Sequence, residues 1–276
     1  MAVERVRLGA VGDNCIDRYA PPVRPDSVGG NALNVAVGFV QQRHPAAYLG
    51  AVGDDADGRL ILETARAAGV DVDGVQILAG LTGVTTVELL PDGDRVFLDE
   101  SYGASALFRL DEQGLERLHG CAWVHAANLG DAPDAVRALV AAGHDVSYDF
   151  SDHGDSALRA ALCPHLRVAF FSAPTGAEAD AAALAEAALA EGAPVAVVTR
   201  GAEGSLAATR EGLFTQAALE VETVDTLGAG DAFIAAFVVA LVAGAELGKS
   251  LRYAAEWAAR TCQIVGPWPA PKEVRV

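Results

Sequence analysis

Short apolar runs alternate with segments of helical period along almost the whole chain. Val6–Val11, Ala47–Val52, Ala122–Ala126, Asp145–Phe150, Val168–Ser172 and Val195–Thr199 each read as a buried strand. Between them lie helix patterns at Asn31–Gln41, Arg59–Ala68, Ala132–Ala142, Ser156–Leu162 and Glu178–Glu191. Strand and helix in this rhythm predict an α/β fold, a doubly wound and mainly parallel sheet with helices on both faces. Such a sheet binds its ligands at the carboxyl ends of its strands, and that is where chemistry is expected.

Two stretches break the rhythm. Residues 13–26 follow the first strand without a helix, and residues 74–100 hold Val75–Leu78, Val84–Leu90 and Arg95–Leu98, with the turn Pro91-Asp92-Gly93 before the last. A few strands inserted into an α/β sheet predict a small β-lid. No composition shift marks a second domain, so residues 1–276 read as one domain carrying lid segments at about 13–26 and 74–100. Gly266-Pro267-Trp268-Pro269-Ala270-Pro271 cannot be helix interior, and the chain beyond Trp268 is expected to be loose.

Charge narrows the partners. The formal net charge is −17, which argues against nucleic acid or an anionic membrane because phosphate backbones call for a basic stripe. A single small anion remains compatible, since local dipoles can hold one phosphate. Cys15, Cys121, Cys163 and Cys262 form no CxxC pair and no secretory leader is recognised, so reduced thiols in a cytoplasmic protein are expected. The apolar stretch Phe233–Ala245 is too short to cross a bilayer.

The segment richest in chemistry is Val224-Asp225-Thr226-Leu227-Gly228-Ala229-Gly230-Asp231, leading into the helical run Ala232–Phe237. Gly228, Ala229 and Gly230 leave backbone N–H groups uncovered at a helix start, where the unpaired donors and the positive dipole end favour an anion. An acid in a first turn stabilises a helix by itself, and that alone would explain Asp231. A carboxylate beside an anion cradle would nevertheless repel a bound phosphate unless it had a task. Phosphoryl transfer supplies one: Asp231 orients an acceptor hydroxyl and takes its proton while the N–H groups hold the transferred group.

Asp225–Asp231 resembles the DTxGAGD motif of the ribokinase-like, or PfkB, carbohydrate kinases. Gly29-Gly30-Asn31-Ala32-Leu33-Asn34 resembles their GGNxxN motif, Gly12-Asp13 their first strand end, and Thr199-Arg200-Gly201-Ala202-Glu203-Gly204 the TxGxxG of their nucleotide half. The resemblance implies a ribokinase-like fold and ATP-dependent phosphorylation of a sugar, with Mg²⁺ as helper and K⁺ as a candidate activator. It implies Asp231 as base and Gly228, Ala229 and Gly230 as anion hole. Asp13, Gly30, Asn31 and Asn34 would contact the sugar, with Arg95 a further candidate from the lid. Thr199, Gly201, Gly204 and Thr226 would meet the nucleotide, and Asp225 a monovalent cation. Gly30 would let the ligand approach the backbone, while capping of a helix by Asn31 is the plainer account of that residue. The lid strands of this family commonly pair, so a homodimer through the lid is a further expectation.

The family's NxxE motif is not intact. Ser172-Ala173-Pro174-Thr175-Gly176-Ala177-Glu178 lacks the Asn, and Glu178, the candidate for holding Mg²⁺ through water, is displaced. Finer segments, among them Asp94-Arg95-Val96-Phe97, Asp149-Phe150-Ser151-Asp152 and Gly266-Pro267-Trp268, resemble the branch of the family that phosphorylates Amadori products. They imply transfer to the 6-hydroxyl of fructoselysine or a close relative, whose α-ammonium and α-carboxylate the lid acids and Arg95 would meet. Other acceptors (fructose, ribose, a ketosugar acid or a nucleoside) stay open, as does a regulator that binds sugar or nucleotide without catalysis. Of the histidines only His125 ends a strand on the ligand edge, where a pocket role and a core role are equally open.

Overall fold

The computed structural model describes residues 5–23, 26–152, 155–173, 176 and 178–269. Strand β1 (Arg7–Gly12) is followed by β2 (Cys15–Tyr19), β3 (Ser27–Gly29) and helix α1 (Asn31–Gln41). Next come β4 (Ala46–Leu49), β5 (Ala51–Gly53), α2 (Ala56–Ala67), β6 (Gln76–Leu78), β7 (Val84–Leu89) and β8 (Arg95–Ser101). The chain continues through α3 (Glu112–Arg117), β9 (Cys121–Ala127), α4 (Ala132–Ala141), β10 (Asp145–Asp149), α5 (Ser156–Leu162), β11 (Val168–Ser172) and α6 (Glu178–Ala190). It closes with β12 (Ala196–Thr199), β13 (Ser205–Thr209), β14 (Gly212–Gln216), α7 (Ala229–Val242) and α8 (Leu247–Thr261).

Eight strands form the main sheet in the order β14-β13-β12-β11-β10-β9-β1-β4. From β12 to β4 all neighbours are parallel, and β13 and β14 close one edge as an antiparallel hairpin. The chain leaves β1 outward to β4 and later returns to β9 on the other side of β1. The order of winding therefore reverses between β1 and β9, the place where open α/β sheets leave a crevice at their carboxyl edge.

Alternation along the strands builds a core on each face. Phe170 points to the face covered by α1, α7 and α8 and meets Phe237 edge-on at 5.6 Å, whereas Phe171 points to the α4–α6 face and stacks on Phe150 at 4.9 Å. Each such buried ring stabilises the fold by roughly 1.5–3 kcal/mol. Helix α7 is buried from Ala232 to Ala240 and lies between α1 and α8, which accounts for its lack of a polar face. Among the described residues no helix is long and apolar enough to cross a membrane.

The second sheet, in the order β3-β2-β7-β8, draws β2, β7 and β8 from the two segments that break the α/β rhythm, while β3 at Ser27–Gly29 lies just beyond the first of them. Gln76–Leu78 differs from expectation: it pairs with β5 in a separate two-stranded ribbon and not with the small sheet. The expected single strand Ala47–Val52 is divided for the same reason. Gly50 separates β4, which continues the main sheet, from β5, which leaves it. The chain expected to be loose after Trp268 lies, from residue 270 on, outside the described residues.

Candidate active site

Residues at the carboxyl ends of the parallel strands and residues of the small sheet line one cavity of about 370 Å³. Asp13 follows β1, Asn128 follows β9, Asp149 ends β10 and Ser172 ends β11, while Asp17, Thr85 and Arg95 come from β2, β7 and β8. Gly228, Gly230 and Asp231 enter from the start of α7.

Asp13 sits at the reversal point of the sheet. Its carboxylate accepts the N–H groups of Asn31 and Ala32 at 3.1 Å each, together with Asn128 Nδ2 at 3.1 Å. An acid thus serves the open first turn of α1 from a neighbouring strand. Asn31 does not cap that helix as its plainer account had it: Gly30 is the cap residue, and the Asn31 side chain is free to reach outward. Asn31 Nδ2 donates to Asp149 Oδ2 at 2.5 Å, and Asn31 Oδ1 lies 3.4 Å from His125 Nε2. His125 is wholly buried, bonded to Ser147 Oγ at 3.0 Å, and burial pushes its pKa down to about 3. It is a neutral core residue that orients Asn31 and does not line the cavity.

Gly30 and Gly228, one from each motif, are closely packed, whereas a Cβ on Gly230 would meet nothing within 4 Å. Gly30 lines the cavity with φ +104, and a Cβ there would come within 2.3 Å of Asn14 Cα, so the neighbouring backbone also requires its bareness. Gly228 has φ +76, and a Cβ would come within 2.4 Å of Pro267 Cβ. Ala229 N–H turns back to Thr226 O at 3.2 Å. The N–H groups of Gly230 and Asp231 remain as the open donors of the first turn of α7.

Asp231 accepts Asn34 Nδ2 at 2.7 Å. Burial raises its pKa to about 7, with Asp149 and Asp13 adding repulsion and Asn34 and Arg95 pulling the other way. Burial likewise raises Asp149 to about 6 and Asp17 to about 7, and it raises Asp13. Asp13, Asp17, Glu100, Asp149, Asp152 and Asp231 face the cavity with Arg95 as the one basic side chain among its lining residues. A base poised near neutrality beside an anion site can move a hydroxyl proton at physiological pH.

Arg95 bridges the small sheet to the glycine loop. Its Nη1 donates to Thr226 O at 3.1 Å and Thr226 Oγ1 at 2.8 Å, and Thr226 Oγ1 donates to Asp94 Oδ1 at 3.1 Å. Asp225 is fully buried and accepts Tyr19 Oη at 2.5 Å, Leu227 N–H at 2.9 Å and Gly266 N–H at 2.8 Å. Thr199 ends β12 with Oγ1 at 3.2 Å from Ser172 Oγ, which places it beside the cavity, while Gly201 and Gly204 lie in the following turn, away from its lining. The Glu178 side chain is outside the described residues. Among the described residues no group of three His, Cys, Asp or Glu side chains could hold a metal ion.

Two participants escape the sequence reading. Asp149 was visible only inside a branch-specific segment, and its place opposite Asp231 needs the parallel register of β10 with β9. Trp268 was visible only inside another such segment, Gly266-Pro267-Trp268, and its Nε1 donates to Asn34 Oδ1 at 2.9 Å.

The family model described as "pfkB family carbohydrate kinase" matches residues 25–143 and 167–272. The fructoselysine 6-kinases of Shigella flexneri and Escherichia coli K12 are each 40% identical over 261 residues, 95% of this chain and 99% of theirs. The fructosamine kinase FrlD of Bacillus subtilis is 33% identical over 270 residues, 95% of this chain and 92% of that one. Among solved structures, Arabidopsis thaliana ribokinase complexed with ribose and ATP superposes with a TM-score of 0.83 at 24% identity, covering 98% of this chain and 97% of that one.

Proposed function

The chain belongs to the pfkB family of carbohydrate kinases and is a sugar kinase, and we propose that it transfers the γ-phosphoryl group of ATP to the 6-hydroxyl of fructoselysine or a related Amadori product. The observation that carries this reading is the meeting, in one acidic cavity, of Asp231 at the open start of α7 with the polar set Asp13, Asn31 and Asp149. A fructosamine brings an ammonium beside its sugar ring, which six carboxylates against one guanidinium complement; a neutral ketose does not.

In this mechanism Asp13, Asn31 and Asn34 hold ring hydroxyls and Asp231 receives the proton of the attacking oxygen. The N–H groups of Gly230 and Asp231 face the transferred group, and Arg95 closes the small sheet onto Thr226. Thr199, Gly201 and Gly204 provide the nucleotide side. Magnesium would enter with ATP and, when bound, would shield the phosphates. Asp225 accepts three donors and so holds the glycine loop in place. ATP as donor agrees with a cytoplasmic site of action. The exposed Val96, Phe97 and Leu98 on edge strand β8 favour pairing of two lids, which sedimentation would detect.

ADP release, measured with fructoselysine, free fructose and ribose as acceptors, tests the assignment. Fructoselysine is expected to give the highest kcat/KM; a higher value for free fructose would overturn the acceptor, and silence with every acceptor would favour a binding regulator.

A further inference from the structure

Three residues of the carboxyl-terminal segment grip three positions of the two motifs. Gly266 N–H donates to Asp225 Oδ2 at 2.8 Å, Pro267 packs where a side chain on Gly228 would stand, and Trp268 Nε1 donates to Asn34 Oδ1 at 2.9 Å. Trp268 is 7% exposed and is not among the cavity-lining residues. We propose that Trp268 is a positioning residue for phosphoryl transfer: its indole N–H locks the amide of Asn34 so that the amide nitrogen, and not its oxygen, faces the Asp231 carboxylate.

The reason lies in the two-ended chemistry of an amide. Asn34 can present either a donor or an acceptor to Asp231, and an acceptor there would repel the carboxylate. Indole N–H only donates, so it must meet Oδ1, and Nδ2 is thereby committed to Asp231 Oδ2 at 2.7 Å. The groups facing Asp231 make that bond matter. Asp13 after β1 and Asp149 at the end of β10 oppose ionisation; Arg95 on β8 and Asn34 on α1 favour it, and burial opposes it most. Loss of the orienting indole lets the amide rotate and leaves the carboxylate harder to ionise. The segment 266–268 is itself fixed by Asp225, which couples the buried end of the DTxGAGD motif to its reactive end.

This inference rests on Asp231 being the base, and the experiment separates the two. The pH profile of kcat with fructoselysine and ATP, together with ¹³C carboxyl titration of Asp231 in the substrate-free protein, is compared among wild type, Trp268→Phe, Asn34→Ala and the double variant. Trp268→Phe is expected to raise the Asp231 titration and the acid limb of kcat by about one pH unit, so that kcat falls about tenfold below the limb and converges with wild type above it. The KM for ATP stays unchanged, and the double variant shows no more than Asn34→Ala alone, because both act through one hydrogen bond. A folded Trp268→Phe protein with an unmoved titration overturns the proposal, as does one whose kcat falls equally at every pH. Should Trp268→Phe not fold, the wild-type Trp268 indole N–H resonance decides instead: it shifts with the Asp231 titration, and a flat response overturns the proposal. Near wild-type turnover by Asp231→Asn would remove the base itself, whereas an unmoved titration in an enzyme that needs Asp231 removes only the role of Trp268.

Discussion

Asp225 and Asp231 open and close one seven-residue motif, and their surroundings could hardly differ more. Asp225 is sealed in protein, with a phenol and two backbone N–H groups satisfying its oxygens. Asp231 has one protein donor among the described residues, Asn34, and otherwise faces a cavity crowded with like charge. The first carboxylate stabilises the loop that shapes the anion site; the second is kept short of partners, so that its pKa rises to where a base is useful. A single motif therefore divides into a structural end and a reactive end, and what distinguishes them is how many donors the fold brings to each.

The largest effect expected is on the reactive end. Asp231→Asn keeps the side chain's size and its contact with Asn34 but removes the proton acceptor, and kcat should fall by about 10²–10⁴, roughly 3–5 kcal/mol of barrier. ATP affinity by calorimetry should hold or tighten slightly, and stability should hold or rise because a buried charge among Asp13 and Asp149 is gone. Turnover near the wild-type rate would erase the contrast with Asp225.

At the structural end the order of effects reverses. Asp225→Asn puts an N–H₂ group where Gly266 N–H or Leu227 N–H needs an acceptor, and an unsatisfied buried donor costs about 1–3 kcal/mol, more where the lost acceptor was charged. Urea denaturation should show that loss, with kcat lowered less than by Asp231→Asn. If the variant lost activity without losing stability, Asp225 would belong to the chemistry and the division of the motif would fail.

The smallest and most diagnostic effect is in the pH dependence of stability. Asp17 and Asp231 are raised to about 7 and Asp149 to about 6, above their unfolded values, so the native protein holds more protons than the unfolded chain between those limits. Their contribution is fully present below the unfolded pKa and is lost as pH rises through the folded values. The Tm of the ligand-free protein should thus fall from about pH 5 to about pH 8. Asp17→Asn should flatten part of that slope. Calorimetric scans with the same slope in Asp17→Asn as in wild type would show that the cavity carboxylates are not what titrates.

Much of the scaffold was legible because it rests on local signals. The periodicities of Asn31–Gln41, Ser156–Leu162 and Val168–Ser172 give elements with those same bounds, and the reduced cysteines agree with four free thiols. The hairpin of β13 and β14 went unread, since Ser205–Thr209 and Gly212–Gln216 are short runs whose strand character comes from pairing with β12 and with each other. Helix α8 was missed as well, although Leu251 and Ala254 pack on the α7 side of the sheet. Ala47–Val52 reads as continuous because a sequence window cannot tell that Gly50 passes the chain from one sheet to another.

The sequence by itself determined the α/β architecture, the family, and the chemical types gathered in Asp13, Asn31, Asn34 and Asp231, because these depend on residue identity at fixed short spacing. Only the tertiary structure decided what those residues touch. Asp13 serves the first turn of α1, Gly30 and Gly228 are bare for Asn14 and Pro267, and Asp149 and Trp268 join the site from positions 118 residues after Asn31 and 234 after Asn34. Hydrogen bonds and charge repulsion act over a few ångströms of space and take no account of separation along the chain. The pKa of Asp231 and the orientation of Asn34 are thus properties of the assembled cavity, set by strands whose register no short stretch of sequence encodes.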